Sequence, residues 1–243
     1  MKNSPSILFQ DDDIIVVNKP AEFLSIPDRF IAEKPSLVSF LKNEKDQDEV
    51  FVVHRLDRET SGVIIFAKNK EAHRDLSMQF ENRTVNKIYL VLVEGNVHKE
   101  EGEIAQPIAN NMRDAGRMIV AKRGKPSLTL YKVVERFKNY TLLEANIKTG
   151  RTHQVRVHFE SIGYPLAVDE LYGRKKAFLL SEIKLKKYRR GKNTEERPLM
   201  SRTTLHAFQL TFTHPTTKEE MTFKTELPKD FRAVLNQLRK WGT

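Results

Sequence analysis

The sequence predicts an α+β fold built on a mixed, largely antiparallel central sheet with a few flanking helices. Short apolar or alternating runs bounded by turn residues dominate the chain. Two pairs of such runs are spaced as hairpins, and the strand–helix–strand spacing of a parallel α/β protein does not recur. With 243 residues and no repeat, low-complexity tract or clear linker, the chain reads as a single domain over 1–243, with a basic insertion near 174–198.

Asp11-Asp12-Asp13 leads into Ile14-Ile15-Val16-Val17, a buried strand closed by Asn18-Lys19-Pro20 because proline cannot extend the ladder. Ser36 N-caps a short helix carrying Leu37, Phe40 and Leu41, and the charged stretch 43–49 is a surface loop. His54-Arg55-Leu56-Asp57-Arg58-Glu59-Thr60-Ser61-Gly62 is a dense polar cluster whose last residues suit a tight turn. Behind it, Val63-Ile64-Ile65-Phe66-Ala67 reads as buried strand. Glu71 to Asn82 places Ala72, Leu76, Gln79 and Phe80 on one helical face. Ile88 to Val93 is apolar on both faces and therefore central, with Tyr89 as its one hydroxyl.

From 95 to 126 the chain reads as irregular, with Arg113, Arg117, Lys122, Arg123 and Lys125 clustered. The runs 128–137 and 141–148 form a hairpin about Lys138-Asn139. In Gln154 to Phe159, period-two geometry puts Val155, Val157 and Phe159 on a buried face and Gln154, Arg156 and His158 on the other. Arg156 then projects from a strand or strand–helix junction. Pro165 to Gly173 is a compact loop, followed by a polybasic segment with Lys184, Lys186, Lys187, Arg189, Arg190 and Lys192. The runs 205–212 and 221–225 make a second hairpin around His214-Pro215, and Asp230 caps a last helix with Phe231, Val234, Leu235, Leu238 and Trp241 on one stripe.

The formal net charge of +10 and a pI near 9.6 favour a polyanionic partner, nucleic acid first. No run of about 18 apolar residues is present, so no membrane span is expected. Zero cysteines exclude disulfides, thiolate metal sites and cysteine nucleophiles, and fit a cytoplasmic protein. His153 and His158 are spaced neither as H-E-x-x-H nor as a zinc finger, so no metal site is expected. Dinucleotide, P-loop and G-x-S-x-G signatures are missing as well. Asp57, bracketed by Arg55 and Arg58, reads as an acceptor-only carboxylate held between guanidinium groups; taken alone, that is as easily a structural ion pair as a site. Asp57 with Glu59 also admits a glycosidase-like pair of carboxylates.

Three motifs together are more specific: H-R-L-D-x-x-T-S-G at His54 to Gly62, K-x-Y at Lys87 to Tyr89, and G-R-T-H-Q-V-R-V-H at Gly150 to His158. With V-V-N-K-P at Val16 to Pro20, P-L-A-V-D-E-L-Y-G at Pro165 to Gly173 and L-H-A at Leu205 to Ala207, the chain resembles the RluA-type RNA pseudouridine synthases along almost its whole length. The resemblance implies a pseudouridine-synthase-like catalytic domain that isomerises a uridine in ribosomal or transfer RNA: the N-glycosidic bond breaks, the base rotates, and C5 joins C1′. It implies no cofactor and no metal. Asp57 matches the catalytic aspartate, acting on the ribose as nucleophile or by proton abstraction. Tyr89 matches the tyrosine packed against the target base, and Arg156 the arginine paired with the catalytic carboxylate. Arg55 is expected to occupy the space left by a flipped base, with His54, Arg151 and His153 as further RNA contacts.

Val168 stands where many members carry glycine, and no S4-type module is expected ahead of the catalytic region. RNA is the expected partner of a monomer with no membrane partner. The competing readings are an RNA-binding or ribosome-assembly factor with a vestigial site, and a nucleoside or glycoside hydrolase.

Overall fold

The computed structural model describes residues 4–28, 31, 34–44, 47, 49–189 and 195–242. In chain order the elements are β1 (Ser6–Gln10), β2 (Ile14–Lys19), α1 (Leu37–Glu44), β3 (Phe51–Val52), β4 (Ser61–Ala67), α2 (Lys70–Glu81), β5 (Asn86–Glu94), β6 (Glu101–Ile104), β7 (Ile108–Asn110), β8 (Met118–Val120), β9 (Thr129–Arg136), β10 (Tyr140–Ile147), α3 (Gln154–Ser161), α4 (Leu180–Lys184), a 3-10 turn (Leu185–Lys187), β11 (Leu205–Thr213), β12 (Glu220–Lys224) and α5 (Lys229–Trp241). The α+β expectation holds, and the sheet is mixed. Among the described residues, no helix is long and apolar enough to cross a membrane. The chain packs as two compact units, and β5 runs out of the first into the second after Tyr89.

Unit 1 comprises Met1–Tyr89 and His206–Glu226. Its strands are ordered β1-β2-β4-β11-β5, with β3 against β4 and β12 against β11. All seven residues of β4 are buried, as an apolar run requires when both faces are covered. It pairs antiparallel with β2 from Ile14↔Ala67 to Lys19↔Gly62, and parallel with β11 at His206↔Ser61 and Ala207↔Gly62. The helix α2 starts where the Asn69 side chain accepts the Ala72 N–H at 2.8 Å, stops at Asn82, and sends Ala72 and Leu76 into a core with Val16, Val63, Ile65 and Phe212. Ser36 caps α1 as expected, its Oγ accepting the Ser39 N–H at 3.1 Å.

Unit 2 comprises Leu90–Leu205 and Leu227–Thr243. The β9–β10 hairpin lies between β6 and the second half of β5, and β7 and β8 form a separate two-stranded ribbon. The core gathers Leu92, Leu142, Phe178, Phe231, Val234 and Leu238. Val168 packs in this cluster too, which accounts for a bulky residue at a position expected to need glycine.

Three expectations are corrected. The stretch 95–126 is not irregular, since β6, β7 and β8 lie in it; these strands have three or four residues each and include exposed positions, too short for a hydrophobic period to register. Gln154 to Phe159 is the start of α3, not a strand. The period-two reading needed one wet face, yet all six of those residues are buried, so their polar members meet protein partners instead of water. Asp230 does not cap α5. Pro228 holds that position, while the Asp230 carboxylate accepts from Arg202 Nε at 2.7 Å and Nη2 at 2.9 Å in the first turn.

Gly62 shows how tightly unit 1 is assembled. Its φ is +119°, and a Cβ built there would stand 2.1 Å from the carbonyl oxygen of Ala207 on the parallel neighbour β11. Gly62→Ala is therefore expected to cost about 3 kcal/mol or more, through backbone strain plus displacement of a packed strand, read as a lower urea midpoint with an unchanged m-value.

Candidate active site

The Asp57 stretch is held through its own main-chain groups. Ser25 Oγ accepts the Leu56 N–H at 3.0 Å and donates to the Leu56 carbonyl at 2.9 Å. The Thr60 N–H donates to the Asp57 carbonyl at 3.1 Å, closing a turn with Arg58 and Glu59 at its centre. The turn thus ends at Thr60, and Ser61 and Gly62 already belong to β4. That corrects the expectation of a turn reaching Gly62.

Lys19 fastens this turn from below. It is completely buried, and its Nζ donates to the carbonyls of Phe23 (2.7 Å), Arg58 (3.0 Å) and Pro20 (3.1 Å). The Glu22 N–H reaches the same Arg58 carbonyl at 2.9 Å from a left-handed backbone at φ +70°. The sequence signals were Lys19 between a strand and a proline and its place in the V-V-N-K-P motif, and neither assigned it a role. Among the described residues, neither Arg55 nor Arg58 forms an ion pair with Asp57, a correction to the bracketed-carboxylate reading. Arg58 Nε turns to the Glu22 carbonyl at 3.4 Å, and Arg55 is exposed. Adjacent residues in a turn diverge, so neighbours in sequence need not face one carboxylate.

The charge of Asp57 instead acts on Tyr89. Burial above all, and then the Asp57 carboxylate, push the Tyr89 phenol well above its ordinary range. Asp57 and Tyr89, from separate motifs, are therefore electrostatic neighbours in unit 1. L-H-A is drawn in by strand pairing: Ser61 Oγ lies 2.9 Å from His206 Nδ1, and the His206 ring reaches Thr225. His54 has a packing role. Its Nε2 accepts the Ile65 N–H at 3.2 Å and its ring stacks on Phe80 at 4.5 Å, while burial, aided by the Lys87 charge, lowers its pKa to about 3.

The third motif builds a cluster in unit 2. Arg156 and Asp169 are 7% and 1% exposed and meet in a two-pronged ion pair, with Nε–Oδ2 2.7 Å and Nη2–Oδ1 2.8 Å. Asp169 also accepts the N–H groups of Leu171 and Tyr172, and the Arg156 guanidinium lies 4.9 Å from the Tyr172 ring. Tyr172 OH accepts the Met118 N–H at 2.7 Å and meets His153 Nδ1 at 2.8 Å. Gln154 bridges Thr149, the Arg151 N–H, Leu128 and Thr129, and Arg151 turns its guanidinium to the Pro126 carbonyl at 3.4 Å. Asp169 and Tyr172 went unassigned at the sequence level; their loop motif was the available signal. Among the described residues, no three His, Asp or Glu side chains gather as a metal site requires.

Residues 13–161 match the RNA pseudouridylate synthase family. The chain belongs to that family. It is an RluA-type RNA pseudouridine synthase, an isomerase that converts uridine to pseudouridine in RNA. An RNA pseudouridine synthase of Aquifex aeolicus is 39% identical, over 97% of this chain and 73% of that protein. The ribosomal large subunit pseudouridine synthase D of Nitrosomonas europaea is 37% identical over 96% of this chain, which spans 65% of that relative's length. Human RNA Pseudouridylate Synthase Domain Containing 4 superposes with a TM-score of 0.73 at 25% identity, covering 96% of this chain and 92% of that one.

Two measurements check how the synthase holds its turn. Lys19→Met leaves three carbonyls without their buried donor, so a loss of about 3 kcal/mol in urea unfolding is expected, with a larger fractional loss of activity than of RNA binding. For His54, the folded pKa of about 3 lies below the ordinary 6.5, so the unfolded chain takes up the proton first. Stability is then unaffected above about pH 6.5 and lost progressively from there towards pH 3. His54→Asn is expected to flatten that part of the stability–pH curve; an unchanged slope would show that His54 is not the titrating group.

Proposed function

We propose that Asp57 is the catalytic carboxylate and that the target is a uridine in large-subunit ribosomal RNA, turned out of its stack to reach the site. The observation that carries this is the pairing of the Asp57 charge with the buried Tyr89 phenol on one framework of unit 1. It brings a carboxylate and a buried phenol within electrostatic reach of each other, two groups that chemistry at a ribose C1′ with a rotating base can use. Breaking N1–C1′ and forming C5–C1′ conserves every atom, with the C5 proton leaving and N1 regaining one. Asp57 serves whether it bonds to the ribose or removes a sugar proton, because both roles call for a carboxylate. Tyr89 is suited to the work of a protonated phenol, as base platform and hydrogen-bond donor, since its environment disfavours phenolate.

Arg156, held by Asp169 and Tyr172 within unit 2, is the proposed cationic group of the chemistry. Arg55, exposed beside the turn, is the proposed filler of the vacated stack. His54 would support this contact from within, and Arg151 and His153 would line the RNA surface of unit 2. The ribosomal target is supported by the names of relatives such as the Nitrosomonas europaea enzyme. The enzyme would act as a monomer, and in the cytoplasm, the latter in keeping with its lack of cysteine.

Asp57→Asn should reduce pseudouridine formation by on the order of a thousandfold or more while RNA affinity and unfolding midpoint stay near wild type. Tritium release from RNA labelled at uridine C5 measures it directly, and a variant with wild-type release would remove Asp57 from the chemistry.

A further inference from the structure

Three lysine ammoniums converge on one aromatic ring in unit 2. Lys184 ends α4, Lys187 lies in the 3-10 turn that follows, and Lys240 sits in the last turn of α5. Their Nζ atoms stand 5.1, 5.4 and 5.4 Å from the centre of the Trp241 ring. No two of them can then be further apart than about twice that distance, close to one screening length of about 10 Å at 0.1 M salt. A ring face attracts a cation, but like charges gathered around one ring repel each other.

Elsewhere in the unit such charges are balanced locally: Lys175 pairs with Glu182 at 2.5 Å, Arg202 with Asp230 at 2.7 Å, and Arg239 with Glu135 at 2.8 Å. Among the described residues, no carboxylate pairs with Lys184, Lys187 or Lys240. A second feature falls in the same place. Leu185, between α4 and the 3-10 turn, is 61% exposed and has φ +48° with ψ −123°, a strained conformation for a branched residue. Exposed Lys186 adjoins it, whereas Arg190 and Lys192 lie outside the described residues.

We propose that this surface is an RNA docking site, in which Lys184, Lys187 and Lys240 grip successive phosphates and Leu185 presents an apolar contact to a ribose or base. A phosphate backbone supplies the missing negative charges in a row, and such contacts position an RNA without reading its sequence. The inference rests on the reading that the enzyme works on a folded RNA, and adds where unit 2 holds that RNA.

Trp241 is the single tryptophan of the chain, so its emission reports this surface alone. The probe is an unmodified transcript of large-subunit ribosomal RNA, titrated into the full chain over a range of salt. Trp241 emission should change saturably with RNA. A Lys184→Gln/Lys187→Gln/Lys240→Gln variant should bind with a log K against log salt slope shallower by about two, as expected for three lost phosphate contacts. A charge-matched variant, Lys70→Gln/Lys99→Gln/Lys132→Gln, should keep the wild-type slope. Equal slopes in the two variants, or an emission unmoved by RNA, would overturn the docking site. Emission that responds to anionic phospholipid vesicles and not to RNA would overturn it in favour of a membrane surface. If wild-type protein forms pseudouridine and the slopes stay equal, only the docking site fails. If the slopes differ as expected but no uridine is isomerised, the docking site stands and the ribosomal-uridine reading fails.

Discussion

The ammonium of Lys19 is wholly withdrawn from water and must place its hydrogen bonds inside the protein, and the carbonyls it takes from Pro20, Phe23 and Arg58 belong to two chain segments far apart in sequence. A buried charge is tolerated only where partners replace its hydration, so the loop after β2 and the turn behind Asp57 are obliged to meet around it. The Arg58 carbonyl receives both Lys19 and the Glu22 N–H, and this fixes the peptide next to Asp57. The position of Asp57 thus depends on backbone geometry set by a residue from a separate segment of the chain.

The parallel contact of β4 with β11 works in the same direction. Backbone approach at Gly62 is so close that only a residue without a Cβ fits, and the reward is the Ser61–His206 bond just behind the turn. Two motifs almost 150 residues apart in the chain become one framework because a glycine permits the strands to touch. His54 adds a further tie, locking its neutral ring onto the β4 backbone and onto Phe80 from α2. The residues around Asp57 are held by three strands and a helix, which makes this stretch rigid.

In unit 2 the same economy is achieved with an ion pair. Arg156 sits on the buried face of a short helix, and the Asp169 carboxylate, fixed by two N–H groups of its own loop, leaves its guanidinium a single orientation. Removing either member would strand a buried charge, at a cost of about 3–5 kcal/mol. The Tyr172 ring and hydroxyl extend the network to His153 and Met118, so the loop 165–173 acts as a scaffold for the third motif.

Strong periodicity was legible in the sequence. The β2 and β4 runs, the α2 face with its Asn82 stop, the central β5 strand, both hairpins and the α5 stripe all follow from apolar spacing and turn residues, because burial of those side chains is what makes the elements stable. The motif string also sufficed to place the chain in its family. What it could not give was anything decided by residues remote in the chain: that Lys19 would bind the Asp57 turn, that Asp169 would hold Arg156, that Arg55 and Arg58 would turn from Asp57, or that Gln154 to Phe159 would coil into a helix. A period of two or 3.6 reports which side chains avoid water, and it fails where every side is buried and polar groups find protein partners. Those partners are chosen by the folded chain, since only there do the competing carbonyls, carboxylates and rings come within hydrogen-bond reach.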